Sequence, residues 1–296
     1  MRIQVIANCQ ARPISSLIKL LLPSALVLEP IILHLSKAFE TARQLEQIGQ
    51  ADVILTQLTS DSFQPAHLST PAVKETFGDR VIVWPNIFYS GQQPYLRYFT
   101  HPNLGRLMGP MEALHDIRLH ESWQKTGQVN ETALQASDPE FVQSVRSQSL
   151  ASLSARESLC DVMISDYIEE CQDSQKLFFT FNHPSRQLLV EMLRRILAHL
   201  GQRSNVVIAE GPEFLDRYQV PSVWDTHESV FQGDSYHLTS TGIAKRHPGP
   251  PVRYDLHAIC RAYSEIYESH EIFRTMDGVR LTPEFPSLET RISHDP

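Results

Sequence analysis

Three stretches of this sequence carry side chains able to do chemistry. The sharpest is Asn8-Cys9-Gln10, directly after the apolar run Ile3-Gln4-Val5-Ile6-Ala7. A thiol on a turn between a strand and a helix lies beside the helix N-terminus, whose dipole favours the thiolate. The same backbone N–H groups can hold an oxyanion or a phosphate. A plainer alternative is that Cys9 is a small residue closing a buried strand. Its neighbours Asn8 and Gln10 are poor core residues, which favours chemistry. The second stretch, 233–242, holds Asp234 and His237, a spacing that on a turn lets a carboxylate orient an imidazole acting as base. Thirteen His residues make such a spacing common by chance, so it gains meaning only beside a nucleophile. The third is Asn182-His183-Pro184, a second source of an imidazole.

The elements that must position these groups follow from hydrophobic spacing. Residues 2–7 form a short continuous apolar run ending in a polar turn, the pattern of a strand buried in a parallel sheet. Pro13 stands where a helix can begin, and Ile14, Leu17, Ile18, Leu21 and Leu22 follow at helical intervals. Residues 25–33 form a second strand candidate weakened by Pro30, and 37–48 a helix ending near Gly49. Residues 51–57 and 80–84 give two more strands, the last stopped by Pro85. Alternation of this kind predicts an α/β fold of three layers, a mainly parallel sheet flanked by helices. From about 104 to 171 the spacing predicts a mostly helical insertion. A strand at 176–181 and an amphipathic helix over 187–200, closed by Gly201, come next. Beyond about 211 proline is frequent and the chain reads as irregular, so the expected organisation is one α/β domain spanning 1–296.

In an open parallel sheet, ligands gather at the carboxyl ends of the strands. Asn8-Cys9-Gln10, Gln57, Asn86 and Asn182-His183 all fall at such ends. Polar loops are ordinary, but this convergence is better explained by a pocket than by packing.

Composition removes several function classes. Asp and Glu outnumber Lys and Arg by 34 to 26, for a formal charge of −8, and no basic block interleaves with aromatics. A nucleic-acid partner therefore has no electrostatic footprint. Apolar residues at 42% supply a large core. The opening apolar run is too short for a signal-peptide core, and the stretch 17–33 is cut by Lys19, Pro23, Glu29 and Pro30. A cytoplasmic protein without a transmembrane segment is expected, with Cys9, Cys160, Cys171 and Cys260 as free thiols. Their spacing matches no zinc motif, the His residues are scattered, and His115-Asp116 with His120 reads as a polar helix face, so no metal is expected. Neither a P-loop nor Gly-x-Gly-x-x-Gly occurs.

The stretch 233–242 resembles the Asp-x-x-His block of SGNH (GDSL-like) hydrolases, and Ala7-Asn8-Cys9 stands where that superfamily has Gly-Asp-Ser. Cys9 replaces the serine, and no Gly-x-Asn-Asp follows Gln57. A flavodoxin-like or SGNH-like layering is what this resemblance implies. A closer resemblance, over residues 1 to about 200, is to the WcbI-like family of polysaccharide-biosynthesis proteins. It rests on Ile6-Ala7-Asn8-Cys9-Gln10, the run 51–57, Trp84-Pro85-Asn86-Ile87 and Phe179-Thr180-Phe181-Asn182-His183-Pro184, with further echoes in Arg156-Glu157 and 164–168.

That family resemblance implies coenzyme A binding and acetyl transfer to a sugar hydroxyl of a capsular or surface polysaccharide. The partners would then be an acyl-coenzyme A and a saccharide acceptor. Cys9 would be the nucleophile or line the site, and the base would be His237, oriented by Asp234, or else His183. Asn8, Gln10, Gln57, Asn86 and Asn182 would bind substrate or oxyanion. Arg12, and behind it Lys245 and Arg246, would meet the coenzyme phosphates. Two alternatives stay open: a cysteine-nucleophile esterase, and a non-catalytic binding module of a biosynthetic complex. A homo-oligomer is compatible with either.

Overall fold

The computed structural model describes residues 1–202, 211–222, 230–247 and 249–284. In chain order the first elements are β1 (Arg2–Ala7), α1 (Ala11–Leu21), β2 (Leu26–Val27), β3 (Ile31–Ile32), α2 (Thr41–Gly49), β4 (Val53–Gln57), α3 (Thr70–Phe77) and β5 (Val81–Trp84). The middle carries β6 (Leu96–His101), β7 (Gly105–Arg106), β8 (Leu114–Asp116), α4 (Ile117–Thr126), α5 (Glu131–Gln135), α6 (Pro139–Glu157) and α7 (Ser165–Cys171). Then come β9 (Phe178–Thr180), β10 (His183–Pro184) and α8 (Arg186–His199). The last part holds β11 (Phe231–Gly233), β12 (Tyr236–Leu238), β13 (Ala244–Arg246), β14 (Val252–Tyr254), α9 (Leu256–Ser269), α10 (Ile272–Thr275) and β15 (Arg280–Thr282). The chain divides into two compact units, one of Met1–Tyr89, Leu150–Leu177 and His183–Leu215, the other of Ser90–Ser149, Phe178–Asn182 and Asp216–Pro296.

The first unit is the predicted α/β fold. Its sheet runs β2-β1-β4-β5, every pairing is parallel, and β3 joins the edge of β1 beside β2. The expected second strand is thus two short pieces, with Pro30 in the break between them. Ile3, Val5, Ile6 and Ala7 are all buried, as befits a strand covered on both faces. Gln4, also buried, donates to Glu29 O at 3.0 Å and accepts from Gln47 Nε2 at 2.8 Å, so its amide is satisfied. Ile6, Ile31, Ile48, Ile54, Val73 and Val83 make one core on this sheet. Helix α1 buries Ile14, Leu17, Ile18 and Leu21, with Pro13 in its first turn, where its missing N–H costs nothing. Helix α8 packs on α1 and buries a stripe that includes Leu189 and Leu193; Ser185 caps it and Gly201, at φ +67°, ends it.

The second unit centres on an antiparallel sheet in which β6 pairs with β15 and with both β7 and β8. Two ribbons, β11 with β14 and β12 with β13, are also antiparallel. Asp116 caps α4, and Asp255 caps α9, which buries Ile259, Tyr263, Ile266 and Tyr267. One expectation is refined and one corrected here. The span 104–171 is helical from α4 to α7 but also contains β7 and β8, strands of two and three residues, too short to show a period. The segment after 211 is not irregular throughout, for β11 to β15 and the amphipathic α9 lie in it.

Candidate active site

Strands β1, β4 and β5 lie side by side in register, with Ile6 opposite Thr56 and Gln57 opposite Trp84, so their carboxyl ends open on one rim of the first unit. The chain leaves β1 through Asn8-Cys9-Gln10 and enters α1 at once: Asn8 O accepts from Ala11 N–H and Gln10 O from Ile14 N–H, both at 3.1 Å. Asn8 Oδ1 accepts from Gln10 N–H at 2.9 Å, the local bond that lets Asn hold a tight turn. The Cys9 thiol donates to the same oxygen across 3.7 Å.

The other two strands lock this turn. Gln57 Oε1 accepts from Asn8 N–H at 3.1 Å, and Gln57 Nε2 donates to Gln10 Oε1 at 3.0 Å. Just past β5, Asn86 Oδ1 accepts from Asn8 Nδ2 and Ile87 O from Gln10 Nε2, both at 3.1 Å. Gln10 is fully buried and Gln57 is 1% exposed. Orphaning a buried amide costs about 1–3 kcal/mol, so this mesh holds the Cys9 turn firmly. The structure thereby brings together Asn8, Cys9, Gln10, Gln57 and Asn86, all five read from the sequence as ends of strands.

Cys9 is half-buried and in no disulfide. It stands beside the N-terminus of an eleven-residue helix, a position that stabilises negative charge. The other thiols are packing residues: burial pushes Cys160 up to about 12 and Cys260 up to about 11, and Cys171 is buried. Arg12 is exposed on the first turn of α1. His183 precedes the Ser185 cap of α8, the helix that packs on α1, and burial pushes its imidazole down to about 4.

The remaining candidates belong to the second unit. Asn182 donates to Tyr98 Oη at 3.0 Å and accepts from Thr180 at 2.9 Å. The hydrogen bond expected between Asp234 and His237 is not among those the described residues make. The Asp234 side chain is buried and accepts from Arg217 and from Tyr218 Oη, the latter at 2.5 Å, with Arg246 Nε 3.5 Å away. His237 is exposed on β12, opposite Lys245 of β13, its ring 4.9 Å from that of His247. Extended backbone sends residues three apart to opposite faces, so only a turn or helix would have joined this pair. Arg246, expected to be available to a phosphate, also donates to Tyr218 Oη at 3.1 Å. Arg217 and Tyr218 escaped the sequence reading because nothing local ties them to Asp234.

His115 and His120 are likewise corrected. They are buried, not on a polar face: His115 stacks on Phe99 at 4.4 Å, and His120 meets Tyr267 edge-on at 5.1 Å. Among the described residues no three His, Cys, Asp or Glu side chains form a group able to hold a metal ion, and no helix is long and apolar enough to cross a membrane.

No protein of curated function matches this chain. A solved structure described as "WcbI, a novel polysaccharide biosynthesis enzyme", in its native form without a disulfide bond between coenzyme A and a cysteine, is similar in fold. Its TM-score is 0.66 at 18% identity, over 93% of this chain and 90% of that one. The sequence profile of the polysaccharide biosynthesis enzyme WcbI matches residues 2–205, which take in every member of the strand-end mesh. This chain belongs to the WcbI family of polysaccharide biosynthesis enzymes.

Proposed function

We propose that this protein binds coenzyme A thioesters and transfers the acyl group, an acetyl group, to a sugar hydroxyl during assembly of a capsular or surface polysaccharide. The observation that carries this reading is the half-buried thiol of Cys9, held by an amide mesh at the rim of a parallel sheet in a chain of the WcbI family. The family relative's description mentions coenzyme A and a cysteine of that protein together, in a form without a disulfide bond between them, and coenzyme A is what such a thiol could meet.

The chemistry needs few groups. The acceptor oxygen attacks the thioester carbonyl carbon while a base takes its proton; the C–S bond then breaks, and the coenzyme thiolate recovers a proton. Charge gathering on the carbonyl oxygen calls for fixed donors. Asn86 is suited to this, since its Oδ1 is occupied by Asn8 and its Nδ2 donates to none of the described residues. His183 is neutral at physiological pH and can accept a proton, but an imidazole held near 4 is a weak base. His237 is the exposed alternative. Arg12, Lys245 and Arg246 are the cations proposed for the coenzyme phosphates, with Arg12 foremost because it rides on the first turn after Cys9.

The test is release of free coenzyme from acetyl-coenzyme A with and without sugar acceptors. Acceptor-dependent release is expected. Release indifferent to acceptor would make the protein a hydrolase, and thermal stabilisation by coenzyme A with no turnover on any acceptor would leave only a binding module. If Cys9→Ala retains near-parental turnover, Cys9 lines the site and forms no acyl-enzyme.

A further inference from the structure

The ribbon of β12 and β13 in the second unit carries a pair of side chains that the proposed chemistry does not use together. Its register sets Tyr236 opposite Arg246, His237 opposite Lys245 and Leu238 opposite Ala244. One residue further on, His247 N–H donates to Ser235 O at 2.8 Å and continues the ladder. Successive side chains of a strand alternate between faces. Tyr236, Leu238, Ala244 and Arg246 therefore share one face, and His237, Lys245 and His247 the other. The first face is committed to packing. Ala244 is buried, Tyr236 donates to Glu265 at 2.9 Å, and Arg246 donates to Tyr218 Oη at 3.1 Å. On the second face all three side chains are exposed.

The two imidazoles of that exposed face lie close together, with ring centroids 4.9 Å apart and planes at 57°. Diagonal positions of a ribbon are about 7–8 Å apart, so the rings lean toward one another. A first-row metal ion bonded to an imidazole nitrogen at about 2.0–2.1 Å stands about 3.2 Å from the centroid of that ring. Two rings sharing one ion at an angle of about 90–110° then have centroids about 4.5–5.2 Å apart. The observed separation falls within that window. Neither ring hydrogen-bonds to a described residue, in contrast to those of His67, His115 and His120. The torsion that turns a histidine ring is soft, so each can aim a nitrogen at a shared ion without moving the backbone. That backbone is braced: Thr239 N–H donates to Ile243 O at 2.9 Å to close the hairpin, and Ser269 Oγ, at the end of α9, donates to Gly242 O at 2.6 Å.

We infer that His237 and His247 form a chelating site for a divalent transition-metal ion of the zinc, nickel or copper group, which imidazole nitrogen favours over magnesium or calcium. Two protein ligands leave the other coordination positions to solvent, so the ion keeps water or takes a donor atom from a ligand. Lys245 opposes a cation by its charge, but its flexible stem lets the ammonium swing aside. The inference does not rest on the acyltransferase reading. Calorimetric titration of the full chain with zinc chloride, and with magnesium chloride as control, tests it. A Cys9→Ser background removes the half-buried thiol as a competing ligand. Saturable zinc binding is expected, weakened at least tenfold by His237→Gln and by His247→Gln alike, tightened by Lys245→Gln, with no response to magnesium. All three substitutions fall on the exposed face, and an unchanged melting temperature without metal shows that each variant is folded. Absence of zinc binding, zinc binding indifferent to either histidine, or an equal response to magnesium would overturn the inference. Binding of inorganic phosphate that Lys245→Gln abolishes, with no zinc binding, would make the same face an anion site instead.

Discussion

Acid should destabilise this protein through His115, and the size of the effect can be worked from its surroundings. His115 Nε2 lies 2.8 Å from Leu107 O, which can only accept, so the ring proton sits on Nε2; Nδ1 then accepts from Tyr267 Oη at 3.2 Å. The ring is packed among Phe99, Tyr263, Tyr267 and Phe273. Burial, with a smaller push from nearby His120, lowers the imidazole to about 3. In the unfolded chain it titrates at about 6.5. Above that pH both states are neutral and His115 contributes no pH dependence. Below it the unfolded chain binds the extra proton, so stability falls as pH drops from about 6.5 toward about 3. At about pH 5 the gap is about 1.5 units, or about 2 kcal/mol.

Urea denaturation followed by tryptophan fluorescence, with Trp84 and Trp224 replaced by Phe in parent and variant alike, reads this unit through Trp123, whose ring lies 5.6 Å from that of Tyr267. The informative variant is His115→Phe, which keeps an aromatic ring but cannot titrate. It forfeits two hydrogen bonds and should be less stable at neutral pH by about 1–3 kcal/mol. Between about pH 6.5 and 5, however, it should lose about 2 kcal/mol less than the parent. An unchanged slope would refute the neutral, buried imidazole and the packing inferred around it.

Two other perturbations probe the polar networks. Gln57→Met removes the acceptor of Asn8 N–H and the donor to Gln10 Oε1, and should cost about 2–4 kcal/mol. It should also speed alkylation of Cys9 by iodoacetamide near neutral pH, where the raised Cys160 and Cys260 and the buried Cys171 stay silent; an unchanged rate would mean that the mesh does not hold the turn. Asp234→Asn should lower stability by about 2 kcal/mol, because Arg217 and Tyr218 lose a charged acceptor. A collapse of turnover with melting temperature unmoved would instead restore Asp234 as the orienter of a catalytic base.

The parts of the fold legible in the sequence are those whose physics is local. A mostly apolar run announces β1, Pro85 stops β5, and polar residues at the carboxyl ends of buried strands mark Asn8, Gln57 and Asn86. What escaped depends on partners far along the chain. Leu114-His115-Asp116 is a wholly buried strand, yet its polar letters mimic a surface, because Tyr267, 152 residues away, and Arg118 supply the missing bonds. Asp234 likewise looks catalytic beside His237 until Arg217 and Tyr218 arrive from upstream to claim it. In both cases a buried polar group is decoded only by its tertiary partner.

The same accounting separates what holds the strand-end site from what could act in it. Gln10 and Gln57 are buried, and both ends of each amide already bond inside the mesh. Those bonds make the two residues part of what holds the Cys9 turn, alongside the binding role their positions suggest. Asn8 is likewise occupied at its amide nitrogen and oxygen. In the proposed reaction the groups that meet the substrate are the Cys9 thiol, which donates to Asn8 Oδ1 at 3.7 Å, and the Nδ2 of Asn86. On the proposed reading, a thiol on a turn braced from three strands rather than carried on a flexible loop suits group transfer at a carbonyl, because the reacting groups are positioned before the substrate arrives.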